Sequence, residues 1–168
     1  DKVGIEEQNA KKIYFSIDTN IAYTDDDKNV EMVATPSTEY KITTMIDFNS
    51  TVLGTQHAYL KSLKSFKKEI APCRTFCFLH EIEFLYNNNL IKGGDLDNAI
   101  VVVDRVLGKE ELDKLAKIFN KQSIEVVQEG ILNNLDLHFT NEPARHKLLD
   151  IVGDLTLVGY PIKANIIA

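Results

Sequence analysis

Asn141-Glu142-Pro143-Ala144-Arg145-His146-Lys147-Leu148-Leu149-Asp150-Ile151-Val152-Gly153-Asp154-Leu155 reads as one amphipathic helix that sets the frame for the rest of the chain. An α-helix advances 3.6 residues per turn, so His146, Asp150 and Asp154 fall at i, i+4 and i+8 on one face. Leu148, Leu149, Ile151, Val152 and Leu155 leave that face and form the apolar stripe that seats the helix in a core. Asn141 is a good N-cap, and Pro143 is tolerated in the first turn. An imidazole and a carboxylate one turn apart offer nitrogen and oxygen donors to a single divalent metal. The same spacing also suits an ordinary helical ion pair, and two ligands do not make a zinc site. On spacing alone, Lys147 is a solvated charge and Asp154 an exposed helix carboxylate.

Outward from this helix, the chain has the size and make-up of one soluble domain, residues 1–168, with a sizeable core. Its 44% hydrophobic and 26% charged content is ordinary for a globular protein. A net charge of −6 with scattered lysines gives no basic stripe and argues against nucleic acid. No apolar run approaches the ~18–20 residues that span a bilayer, and the polar first residues carry no signal-peptide pattern. Starting at Asp1 rather than Met, the chain is expected to be a fragment or a processed product. Cys73 and Cys77 are too few for a disulfide framework. Their C-x-x-x-C spacing is not that of a common zinc or redox motif, and they are expected to be small buried residues in a reducing cytoplasm.

Periodicity supplies the remaining elements. Residues 12–17 form a short β-rich run, and Asp25-Asp26-Asp27-Lys28-Asn29 a solvated hairpin tip, since it lacks the alternating oxygen ligands and closing Glu of a calcium loop. Residues 30–36 and 39–48 read as a strand pair, with alternation at Tyr40, Ile42, Thr44 and Ile46. Residues 56–62 form another strand, and His57 a surface histidine. Residues 65–70 make an amphipathic turn, and residues 78–88 a helix ended by Asn87-Asn88-Asn89. A buried strand over 98–103 and a helix over 110–119 follow. Residues 124–128 and 131–139 read as a strand pair around Gly130, with His138 on a strand. Gly159-Tyr160-Pro161 ends the central helix before a last strand from Ile162. Strands and helices without strict β-α alternation indicate an α+β fold: a two-layer sandwich, mostly antiparallel sheet, with helices packed on one face.

Three blocks, in order, give the chain a more specific character: Ala71-Pro72-Cys73-Arg74-Thr75-Phe76-Cys77-Phe78, Gly93-Gly94-Asp95-Leu96-Asp97-Asn98-Ala99-Ile100-Val101, and the central helix. Together they resemble the zinc-dependent UDP-3-O-acyl-N-acetylglucosamine deacetylases of lipid A biosynthesis, cytoplasmic enzymes of Gram-negative bacteria. The match is to their second, C-terminal domain, and before Ala71 it is carried chiefly by Ile46-Asp47-Phe48-Asn49. The resemblance implies a Zn2+ cofactor held by His146 and Asp150. A third ligand and a glutamate base would come from a missing N-terminal domain, and a general-acid histidine from a Gly-His segment beyond Ala168. It gives Asp154 the task of orienting that histidine, Thr75 a polarising place near the oxyanion, and Lys147 a contact to the charged head of the UDP-sugar substrate. Gly94 and Ala99 would leave room for the acyl chain, with Phe76 lining its passage. Without the resemblance, Thr75 reads as a cap for a following helix and Gly93-Gly94 as a turn. The chain departs from the family wording at His80-Glu81, where Arg-Asp is usual, and at Tyr160. Two alternatives accompany this reading: a non-catalytic module that binds an acyl chain or carrier protein, and part of a fusion with a 3-hydroxyacyl carrier-protein dehydratase.

Overall fold

The computed structural model describes residues 3–4, 6, 8–91, 99–126, 128–132 and 135–168. The fold is α+β, with strands β1 (Phe15–Ser16), β2 (Ile21–Asp25), β3 (Val30–Pro36), β4 (Lys41–Ile46), β5 (Gln56–Leu60), β6 (Phe76–Phe78), β7 (Ile100–Val103), β8 (Gly130–Ile131) and β9 (Ile162–Ile167). Its helices are α1 (Phe66–Glu69), α2 (Ile82–Asn87), α3 (Lys109–Ile118) and α4 (Glu142–Leu155). The larger sheet has the order β2-β3-β9-β4-β5, with β1 paired to the first residues of β9. Its pairings are antiparallel except for β9 with β4 and with β1. Among the described residues no helix is long and apolar enough to cross a membrane.

Helix α4 lies on β4 and β5. The alternation expected of β4 is real: Ile42, Thr44 and Ile46 are buried, and with Leu60, Ala144, Leu148 and Ile166 they make the core beneath α4. Leu148 is fully buried, a contribution of about 1.5–3 kcal/mol relative to exposure. Leu149, Ile151, Val152 and Leu155 pack against the same core, as the stripe requires.

The structure corrects one expected pairing. β3 and β4 are not partners, because β9 runs between them, with Ile167 opposite both Val33 and Thr43. Alternation shows which face of a strand is buried but not which strand lies beside it. Pro36 ends β3 with no N–H to offer a tight hairpin. The following loop, residues 37–40, leaves a gap that the apolar β9 fills, burying Ala164 and Ile166. The acidic run does form a hairpin tip: Asp25 accepts from the Lys28 backbone N–H at 3.2 Å, and Asn29 turns at φ 51°. Its first strand, β2, is exposed along most of its length and so carries no burial signature in the sequence.

A smaller sheet, β6-β7-β8, forms a second layer. Every residue of β7 is buried: Val101 and Val103 face α2 and α3, while Ile100 and Val102 face Leu53 and Phe78. The helix expected over 78–88 begins later, with a short 3-10 turn at Leu79–Glu81 leading into α2, because Phe76–Phe78 is a strand parallel to β7. Asn89, at φ 57°, ends it as expected. Among the described residues the strand pair expected around Gly130 is not formed: of these only Gly130–Ile131 pairs, and its partner is β7. Ile124 and Val126 are irregular and pack beside α2 and α3, while Leu135 and Leu137 pack on the other face of β7. Their apolar pattern reflects burial without a hydrogen-bonded ladder. His138 accordingly lies on no strand, and its N–H donates to Glu142.

Candidate functional site

Helix α4 presents His146, Asp150 and Asp154 along one side, at the margin between core and solvent. His146 is the most enclosed, its side chain 18% exposed against 41% for Asp150, and Asp154 is exposed. The His146 ring has a defined orientation. Its Nδ1 lies 2.9 Å from the Cys73 carbonyl oxygen. A carbonyl can only accept, so Nδ1 carries the hydrogen and Nε2 is the nitrogen left to act as a donor atom. Nε2 faces Asp150 Oδ1 at 3.5 Å. The other Asp150 oxygen takes an ion pair from Lys147 Nζ at 3.1 Å. Lys147 also lies 5.8 Å above the Phe76 ring, within cation–π range.

This donor set suits a divalent cation of zinc type. A metal-bound histidine commonly donates its second ring N–H to a backbone carbonyl, which fixes the tautomer and the ring orientation. Two protein donors fall short of the three that a catalytic zinc takes. Among the described residues no cluster of three or more His, Cys, Asp or Glu could complete one.

The second block lies against the helix. Phe76 makes edge contacts with Phe48 at 5.4 Å and with Phe78 at 6.5 Å, forming an aromatic patch beside Lys147. Thr75 is exposed and immediately precedes β6, so the helix it was expected to cap is absent and the strand stands in its place. Its carbonyl accepts from the Ile100 N–H at 2.8 Å, which brings buried Ala99 next to Thr75. Gly94, like the rest of residues 92–98, lies outside the described residues. Burial pushes the Cys73 and Cys77 thiols up to about 11, which keeps them protonated and unreactive.

Glu142 carries more than its place at the start of α4 announces. Its carboxylate is fully buried and accepts four hydrogen bonds. Oε1 takes the Arg74 backbone N–H at 2.8 Å and Nε at 2.9 Å; Oε2 takes Arg74 Nη2 at 3.0 Å and the His138 N–H at 2.7 Å. Burial pushes this carboxyl up, but the Arg74 and His138 bonds more than offset it and hold it below its ordinary value. The stability contributed by the ionised form is therefore present above about pH 4.5 and lost as pH falls through the lowered folded value. In sequence, an acidic residue in a first turn reads only as a favourable partner for the helix dipole. Nothing local points to Arg74, 68 residues away. Asn141 holds the N-cap position, but its side chain is used elsewhere, donating to the His57 carbonyl at 2.7 Å and accepting from Arg145 Nε at 2.8 Å.

Comparison with known proteins shows the family. The family model described as UDP-3-O-acyl N-acetylglycosamine deacetylase matches residues 1–117 and 114–168. A protein of Chlorobaculum tepidum named bifunctional enzyme LpxC/FabZ is 48% identical over 98% of this chain and 36% of its own length. UDP-3-O-acyl-N-acetylglucosamine deacetylases of Chlamydia pneumoniae and Syntrophotalea carbinolica are 36% and 35% identical, over 100% and 98% of this chain and 51% and 45% of their own lengths. The chain thus spans between about a third and a half of these relatives. With the family model matched from end to end, the chain belongs to the UDP-3-O-acyl-N-acetylglucosamine deacetylase family.

Proposed function

We propose that this chain is the second domain of a zinc-dependent amidohydrolase that removes the N-acetyl group from UDP-3-O-(3-hydroxyacyl)-N-acetylglucosamine in lipid A biosynthesis, in the cytoplasm. The observation that carries the reading is the wiring of His146: the Cys73 carbonyl takes Nδ1–H, and Nε2 is aimed at the Asp150 carboxylate one turn on. His146 Nε2 and Asp150 are two of the metal ligands, and the remainder of the protein supplies the third. When bound, zinc supplies an activated water and a Lewis acid for the amide oxyanion. Asp154, exposed at the far end of the same face, is free to orient a histidine from beyond this chain. Lys147 holds positive charge next to Asp150 and Phe76, where a phosphate-bearing headgroup would meet it. Thr75 polarises the substrate at the start of β6. Phe76 and Ala99 line the space for the acyl tail, and the resemblance gives Gly94, outside the described residues, the same task. Relatives at 48%, 42% and 41% identity share the bifunctional name, which favours a parent fused to a 3-hydroxyacyl carrier-protein dehydratase.

The test is His146→Ala in the intact protein, followed by metal content from mass spectrometry and by deacetylase turnover. Both should fall to background, since the first metal contact is removed. Full zinc content in that variant would place the metal elsewhere and overturn the assignment. A binding module with no catalysis would instead show substrate affinity without acetate release in the unaltered protein.

A further inference from the structure

One planar group links the buried carboxylate to the candidate ligand. The Cys73–Arg74 peptide offers its N–H to Glu142 Oε1 at 2.8 Å and its C=O to His146 Nδ1 at 2.9 Å. Glu142 and His146 are one turn apart on α4, so the helix grips this peptide unit at both of its polar atoms. A peptide bond is rigid and trans, so a rotation at one end swings the other. Arg74 closes the clamp from outside. Its guanidinium spans both Glu142 oxygens and ties on to the Asp136 carbonyl at 2.8 Å. The Glu142 carboxylate is fully buried and reaches neither solvent nor the open side of the site. Such a group is costly to desolvate unless each oxygen is satisfied, which the three Arg74 bonds and the His138 N–H achieve.

We propose that Glu142, held by Arg74, is a positioning residue for His146: it fixes the Cys73–Arg74 peptide so that the ring keeps its hydrogen on Nδ1 and turns Nε2 toward Asp150. The inference rests on His146 being a metal ligand, but the tautomer itself can be read without metal. Glu142→Gln keeps the shape and exchanges one acceptor oxygen for an amide, which sets N–H against the N–H groups of Arg74 and His138. The anchor on the peptide loses its charge and the Arg74 fork that braces it, so the carbonyl selects one ring nitrogen less strictly.

The experiment uses the intact protein, stripped of metal, with long-range 1H–15N correlation on the His146 ring and zinc affinity from chelator competition. The unaltered protein should show a single Nδ1–H ring. Glu142→Gln should show a mixture of tautomers and zinc binding weaker by about 10–100-fold, the range typical of lost outer contacts to a metal-bound histidine. Arg74→Lys keeps the backbone N–H to Glu142 but gives up the fork, and should shift both readouts in the same direction by less. Should Glu142→Gln fail to fold, Arg74→Lys decides the matter with the same two measurements. A ring that stays Nδ1–H in these variants, whether or not zinc binding weakens, overturns the proposal. Zinc retained in His146→Ala would instead sink the metal assignment, while the tautomer in the metal-free protein would still report on the clamp.

Discussion

Among the described residues there are two histidine–aspartate pairs, and they are wired in opposite ways. On the small sheet, His80 sends Nδ1 to Asp104 Oδ1 at 2.9 Å and stacks on Phe78 with ring centres 5.6 Å apart. The carboxylate takes the ring's short hydrogen bond, which is what an ordinary surface ion pair does. On α4 the backbone takes that bond through the Cys73 carbonyl, and Asp150 is left facing the second nitrogen at 3.5 Å. Residue types are the same in the two places. What differs is which nitrogen the surrounding chain has already engaged, and only on α4 does that leave a nitrogen and an oxygen converging on one point.

The comparison is sharpened most by Asp154, which shares the α4 face but makes no part of this wiring. Asp154→Asn in the intact protein should retain zinc and substrate binding, while kcat falls by about 10²–10⁴-fold, the range of general acid–base assistance. Because Asp154 is exposed, stability should move by no more than ~0.5 kcal/mol, so the kinetic loss is readable. Zinc lost as completely as in His146→Ala would make Asp154 a ligand and reopen the place of Asp150.

Lys147 gives a smaller effect of a different kind. Its ammonium already sits against Asp150, so Lys147→Ala removes a charge that both the carboxylate and an incoming phosphate would use. A loss of one charged hydrogen bond is worth about 1.5–3 kcal/mol, roughly a 10–150-fold change in kcat/KM. Much of that change should appear in KM, with zinc still bound. A change confined to kcat, or none at all, would remove Lys147 from substrate recognition.

Local chemistry made the central helix legible: its start, its apolar stripe and its donor face all follow from spacing within fifteen residues. β4 and α3 were legible for the same reason, since burial on a fixed period leaves its mark in the sequence, and β7 as an unbroken apolar run. Contacts between distant segments left no such mark. β9 fits between β3 and β4 because of shape and apolar matching across more than 120 residues. Leu135 and Leu137 mimic a strand because irregular backbone can bury alternate side chains as well as a ladder can. At the site, spacing allowed a metal pair or an ion pair on α4, and what it did not announce is the Cys73 carbonyl, which engages Nδ1 and leaves Nε2 facing Asp150. The Glu142–Arg74 clamp was invisible, because a first-turn acid and a loop arginine each have a sufficient local explanation.

The smallest expected effect tests the other half of the comparison. The His80 and Asp104 side chains are 31% and 24% exposed, and partly solvated ion pairs contribute little because water and salt screen them. His80→Ala should therefore cost about 0.2–1 kcal/mol, a fall in Tm of no more than ~4 °C for a domain of this size. Zinc content and deacetylase kinetics in the intact protein should stay as they are, since this ring offers its short bond to a carboxylate and faces no second donor. Asp104→Asn should behave the same way, and the double variant should show little coupling energy in a mutant cycle. If His80→Ala stripped zinc or abolished turnover, the two pairs would not differ as their hydrogen bonds indicate. The nitrogen engaged by backbone would then be no guide to which histidine serves the metal.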